Sequence, residues 1–221
     1  TQTVLDPYGY SSNANSKKSA VIDLSVFKEC KKSNLTPLRH ITDAIIYELS
    51  VRDFSMDNSL GKDVAGTFNA FLKHNVKSKN GNPIGIDYIK ELGVTHLQIM
   101  PVLNFYYTDE TNTKYEANGT ANNNNYNWGY DPHNYFTPEG WYSSDATNPY
   151  SRVSELRELV DAAHAHGLGI LLDVVYNHMA NTALMEDIVP GYYFRTANGK
   201  YTSKSGCGND VASTRAMARR L

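Results

Sequence analysis

Apolar residues along the chain fall into two rhythms. Residues 44–49 form an unbroken run, Ala44-Ile45-Ile46-Tyr47-Glu48-Leu49, in which only Glu48 is charged. That pattern predicts a strand buried on both faces. A second run, 94–100, ends at Pro101, and a third covers 169–175. Between them the spacing changes to three and four. Over 85–92, Ile86, Ile89 and Leu92 recur at helical intervals, and Gly93 follows as a stop. Over 151–166, Val153, Leu156, Leu159, Val160 and Ala163 make one stripe, and Gly167 follows. A last helix is expected to begin near Asn209 or Asp210, with Met217 and Leu221 four apart on one face.

The segments between these elements are unequal in length. Residues 53–83, 101–150 and 176–208 are rich in Asn, Gly, Pro and Tyr and are expected to be loops. Residues 122–125 are a run of asparagines, expected at a mobile loop tip. Residues 1–39 are expected to be irregular, with one short strand over 20–26, and to be a linker or the tail of a preceding domain. Each long loop follows a strand, whereas Gly93 alone, or Gly167 with Leu168, leads from helix to strand. Strand and helix alternate as in a parallel sheet. A (β/α)₈ barrel gathers long loops at the carboxyl ends of its strands, and a doubly wound sheet does the same. Alternation alone leaves both open.

Composition narrows the function classes. A net charge of −2 provides no field for nucleic acid or anionic lipid. The basic pairs Lys31-Lys32 and Arg219-Arg220 are too short for a polyanion patch and are expected to be solvated surface. No apolar run nears the roughly 20 residues of a membrane span. Cys30 and Cys207 lie far apart without a CxxC spacing and read as free thiols, with no zinc site. The 16 tyrosines gather in loops, where aromatic rings offer flat binding surface.

The third run leads into Asp173-Val174-Val175-Tyr176-Asn177-His178. An acid there is either a satisfied core carboxylate bonded to loop backbone or part of a polar shell at the mouth of a barrel. The segment strongly resembles the third-strand motif of the α-amylase superfamily. Tyr126-Asn127-Trp128-Gly129-Tyr130-Asp131-Pro132 resembles a signature of type I pullulanases. So do the blocks 43–49, 51–55 and 92–96, Pro190-Gly191-Tyr192-Tyr193 and Gly206-Cys207-Gly208-Asn209. Residues 6–8 and 20–24 look like the end of that family's β-sandwich domain.

The resemblance implies an α/β fold. Residues 40–221 would be the N-terminal part of a (β/α)₈ catalytic barrel, about its first three βα units, stopping before the fourth strand. It implies hydrolysis of α-1,6-glucosidic linkages in pullulan, amylopectin dextrins or glycogen by a retaining mechanism, without a cofactor. The alternatives are a non-catalytic glucan-binding module, or another superfamily branch such as isoamylase. By position, Tyr130 matches the tyrosine that stacks beneath the sugar ring, and His178 matches the histidine that hydrogen-bonds that sugar. Asp131 is expected beside Tyr130, as a sugar contact or a turn cap. Asp173 matches a supporting acid. Asn177 matches a calcium ligand of many α-amylases, but is expected here to tie a loop, with no metal bound. Trp128 is expected either to contact sugar or to wedge its loop, with the wedge favoured. The family's catalytic carboxylates come from later strands, so no catalytic residue is assigned, and the rest of the barrel is expected as a partner from the same gene or a second chain. Two positions depart from the pattern: Ser50 stands where the family has His, and Asn104 where it often has Asp.

Overall fold

The computed structural model describes residues 4–30, 33, 35–112 and 125–221. Lys31, Lys32 and Asn122 to Asn124 lie outside them. Three parallel strands form one sheet in chain order: β1 (Ile46–Leu49), β2 (His96–Ile99) and β3 (Gly169–Leu172). Register is continuous, with Leu49 opposite Ile99 and Ile99 opposite Leu172. The short helix α1 (Val51–Ser55) follows β1 directly, α2 (Ile86–Glu91) precedes β2, and α3 (Pro149–Ala165) precedes β3.

β2 is the middle strand. Its Leu97 and Ile99 are buried against Ile86 and Ile89 of α2, Leu159 and Ala163 of α3, and Phe68, Phe71, Trp141 and Tyr142 from loops. The expectation of strands buried on both faces is met only in part there, since His96 and Gln98 on the other face are half-buried, and it fails at the flanks. Ile45, Ile46, Leu171, Leu172 and Val174 are exposed. Among the described residues β1 and β3 pair on one side only.

α3 starts two residues before the expected position, because Pro149 supplies a preset φ at the first turn and the Asn148 side chain accepts from the Tyr150 amide. It ends at Gly167 as expected: the Leu168 amide reaches the Ala163 carbonyl, and the Gly167 amide reaches His164. Its most buried face differs from the apolar stripe. Arg152 and Glu155 are buried beside Leu159 and Ala163, whereas Val153, Leu156 and Val160 are half-buried.

Four further expectations need correction. Residues 20–26 form no strand; Asp23 accepts from the amide and hydroxyl of Ser25 and turns the chain into a 3-10 helix, Leu24–Val26. Residues 53–83 hold the end of α1 and two 3-10 turns. Residues 176–208 carry α4 (Ala183–Glu186) and a small hairpin of β4 (Thr196–Ala197) and β5 (Lys200–Tyr201). The last helix, α5 (Ala216–Arg220), starts later than expected. Asp210 does not begin it, because its carboxylate accepts from the Thr202 hydroxyl and the Lys204 and Ser205 amides. Those bonds hold the acid well below its ordinary pKa.

Residues 6–19 lie against the long loop after β2. Thr137 donates to the Gly9 carbonyl, Ser11 to that of Pro149 and Asn134 to that of Asp6, and the Tyr8 and Phe136 rings stack. Asn125, expected at a mobile tip, is buried, and its amide bridges the Asp109 and Asn112 carbonyls.

Candidate functional site

All three strands point their carboxyl ends at one edge of the molecule, and three loops leave from there. The loop after β2 carries Tyr126 to Pro132. Gly129 sits at its inner bend with φ of 90°, and a Cβ there would lie 2.9 Å from Phe105 and Pro101 carbons. Only glycine fits both the angle and the floor. The bend sends its neighbours Trp128 and Tyr130 outward, and both are exposed.

The loop after β3 meets Tyr130 through two residues. Asp173 is the first residue past β3, where its amide still bonds the Ile99 carbonyl. Its Oδ2 accepts from the Tyr130 hydroxyl at 2.7 Å. Of the two readings left open above, the acid therefore meets a neighbouring loop's side chain at the sheet's mouth. Burial, and then the bond to Asp173, pushes the Tyr130 phenol well above its usual pKa, so it stays protonated and donating. His178 is only 7% exposed. Its Nε2 donates to the Tyr130 carbonyl at 2.9 Å, and its Nδ1 lies 2.9 Å from Asn177 Oδ1. The Tyr135 hydroxyl donates to the His178 carbonyl at 2.9 Å, and the Ala180 amide to that of Pro132 at 3.0 Å. The two loops are thus laced together at both ends of the histidine.

Tyr130, Asp173, Asn177 and His178 line one open hollow together with Tyr176, Cys207 and Ser213. Tyr130 and His178 thus lie side by side in one hollow. In this state both His178 ring nitrogens already have partners within the chain. Asn177 ties its loop twice, through its side chain to His178 and through its carbonyl to the Val211 amide. No group of three or more His, Cys, Asp or Glu side chains suited to a metal occurs among the described residues.

Trp128 does not wedge the loop. Its indole is 59% exposed, and Nε1 donates to the Tyr126 hydroxyl at 2.8 Å. Asp131 is half-buried and accepts from Asn127 Nδ2 at 3.1 Å. Burial raises its pKa to about 6. A carboxyl with a raised folded pKa favours folding below its unfolded value of 3.8 and loses that contribution as pH climbs through about 6. Asp131→Asn is therefore expected to stabilise the protein at pH 8 by about 1 kcal/mol, after discounting for its solvent-facing side. At pH 4 the gain should vanish. Denaturant midpoints at the two pH values check this, and an equal gain at both would refute it.

Sequence reading missed the buried polar cluster beneath the site. Arg152 forks onto Glu110, Nη1 to Oε1 at 2.9 Å and Nη2 to Oε2 at 2.8 Å. Asn104 Nδ2 donates to Glu110 and to Glu139, both at 3.0 Å, and its Oδ1 accepts from Ser16 at 2.8 Å. An aspartate at 104 has no N–H to give two carboxylates, which accounts for one departure from the family pattern. Ser50 accounts for the other: it caps α1 by accepting from the Asp53 amide. The available signal for the cluster was Arg152 itself, a charge seven residues before Leu159 on the core side of α3.

Comparison with known proteins places this geometry. The sequence profile described as Alpha amylase, catalytic domain, matches residues 74–191. Pullulanase A of Streptococcus pneumoniae is 39% identical across 100% of this chain, which covers 18% of that protein. The pullulanase of Bacillus subtilis is 37% identical over 98% of this chain and 29% of its own length. A crystal structure of Paenibacillus barengoltzii pullulanase, in complex with maltohexaose and α-cyclodextrin, superposes with a TM-score of 0.89 at 39% identity. It covers 98% of this chain and 33% of its own. The chain thus spans between about a fifth and a third of these relatives, and its three βα units are part of the same barrel fold.

Proposed function

The chain belongs to the α-amylase catalytic-domain family, within its pullulanase-like branch, and from that premise we propose that the protein carrying it hydrolyses α-1,6-glucosidic branch points. The substrates are pullulan, amylopectin-derived dextrins or glycogen. The observation that carries the reading is the hollow shared by Tyr130 and His178 at the carboxyl ends of β2 and β3. An aromatic face orients a pyranose through its C–H groups without hydrogen bonds. Polar groups around it then select hydroxyls.

Retaining hydrolysis needs two carboxyl groups about 5–5.5 Å apart, one a nucleophile and the other a proton donor and acceptor. Among the described residues this hollow has one, Asp173, and it is engaged by the Tyr130 hydroxyl. A carboxylate accepting that bond holds the phenol ring in place rather than attacking a sugar. The nucleophile and the acid/base therefore come from elsewhere in the full-length protein. This chain supplies one wall of the cleft: Tyr130 as the floor under a glucose, His178 and Asp173 as its supports, and Asp131 at the rim.

Product analysis on pullulan tests the reading. The full-length protein is expected to release maltotriose with retained anomeric configuration, and the isolated 221-residue chain to release none. Hydrolysis by the isolated chain overturns the division of labour. A full-length protein that cleaves amylose and leaves pullulan intact overturns the linkage assignment.

A further inference from the structure

Two shallow surfaces meet at Tyr130. One is the His178 hollow, and the other is a largely apolar face lined by Tyr126, Asn127, Trp128, Tyr130 and Asp131. The chain's two tryptophans differ sharply there. Trp141 is 1% exposed, in the core with Arg52 stacked 4.1 Å from its centroid. Trp128 leaves 59% of its surface to solvent. An indole held in water forgoes the burial that usually decides where tryptophan sits.

Although exposed, this indole is anchored. Its only polar hydrogen goes to the Tyr126 hydroxyl at 2.8 Å, and that phenol donates to Asp53 Oδ2 at 2.5 Å. Asp53 lies on α1, which follows β1 and is capped by Ser50. The ring is thus fixed at its polar edge to the neighbouring βα unit while its face stays open. With the N–H taken, it offers a ligand a π surface and no free hydrogen-bonding group. The C–H face of a pyranose suits such a surface. Tyr130 belongs to both surfaces, so a glucan leaving the His178 hollow on this side passes over Trp128.

We propose that Trp128 is a second sugar platform, stacking the glucose next to the one seated at Tyr130, and that Tyr126 and Asp53 are positioning residues that hold its ring. The proposal rests on the α-glucan reading above. A ring fixed before binding loses little freedom when ligand arrives, so its contribution is to affinity. Binding that is equal in ground and transition states changes KM and leaves kcat alone.

The test uses the full-length protein with Trp128→Ala, Trp128→Phe and Tyr126→Phe. Loss of one stacking contact corresponds to about a 3- to 10-fold effect. Trp128→Ala is expected to raise KM on pullulan by that factor, with kcat within about twofold. Trp128→Phe should recover most of the loss, and Tyr126→Phe, which keeps a ring but drops both hydrogen bonds, should show a smaller effect in the same direction. Calorimetry with maltohexaose reads the platform without hydrolysis, and Trp128→Ala should weaken Kd by the same factor. An unchanged Kd overturns the platform. A Tyr126→Phe variant identical to the parent overturns the positioning role. Failure to cleave pullulan together with a Trp128-dependent Kd overturns only the hydrolase reading.

Discussion

Arg152→Met is expected to destabilise the protein by about 3–5 kcal/mol, the usual consequence of removing one partner from a buried ion pair. Methionine fills the channel but donates nothing. Both Glu110 oxygens then lose their guanidinium contacts, and the Pro138 and Ala146 carbonyls lose a donor. Glu139, 3.0 Å from the shared Asn104 amide, already has its carboxyl pushed well above the ordinary value by burial and then by the negative charge of Glu110. Arg152 opposes that rise. A raised folded pKa favours folding at low pH and loses that contribution as pH climbs through it. The penalty for Arg152→Met should therefore be larger at pH 8 than at pH 4.5. Adding Glu110→Gln, which removes the orphaned charge, should recover part of the loss, as coupled sites do. Denaturant unfolding of the four proteins of that cycle checks it. A loss below about 1 kcal/mol, or strictly additive single effects, would show that the pair is not the keystone of the long loop.

That cluster also shows where the sequence stops being readable. The apolar stripe at helical spacing marks only part of the face of α3 that points inward, through Leu159 and Ala163. It does not say that Arg152 and Glu155 are buried on that face with Leu159, because their partners, Glu110 for Arg152 and Ser144 for Glu155, sit in a loop with no period of its own. Sequence patterns record intervals, and an ion pair between residues 42 positions apart leaves none. The N-terminal segment escapes for the same reason. Asn15 and Ser16 bond Glu110 and Asn104 through single contacts to loop residues.

The sheet was legible because its signal is local. Each strand is a contiguous apolar run ended by a proline or followed by polar residues, and the helix stops are glycines. Exposure of the flanking strands was not legible, since Ile46 and Leu172 have the composition of buried positions wherever the neighbouring strand lies. The small hairpin had a readable mark that strand-length patterning passes over. Asn198 and Gly199 both adopt positive φ, the Asn-Gly turn that joins two antiparallel strands. Two-residue strands are too short to show alternation. At the candidate site, residue identity came from motif resemblance, and the convergence of Tyr130 with His178 followed from placing both after parallel strands. The lacing between them, ring nitrogen to carbonyl, was not legible, because backbone carbonyls carry no sequence signal at all.

That lacing sets the expected result at His178. His178→Ala in the full-length protein should lower kcat/KM on pullulan by about 10², within the range seen when a preorganised donor at a reacting centre is removed. The structure supplies the route: the ring's Nε2–H holds the Tyr130 carbonyl, and Tyr130 in turn is fixed at its hydroxyl by Asp173. Alanine leaves that carbonyl without its donor and opens space behind the aromatic floor. A ring displaced by even a fraction of its own width no longer matches the sugar, and misplacement of this kind is costly in catalysis. Tyr130→Ala should lower kcat/KM as well, through loss of stacking worth roughly 0.5–1.5 kcal/mol together with lost apolar contact. Because the two residues act through one contact, the double variant should be little worse than the more impaired single variant. Independent, multiplying losses would instead mean that His178 reaches the sugar on its own, exchanging the Tyr130 carbonyl for a hydroxyl once substrate is bound. Wild-type kinetics in both single variants would remove the hollow from the substrate's path altogether.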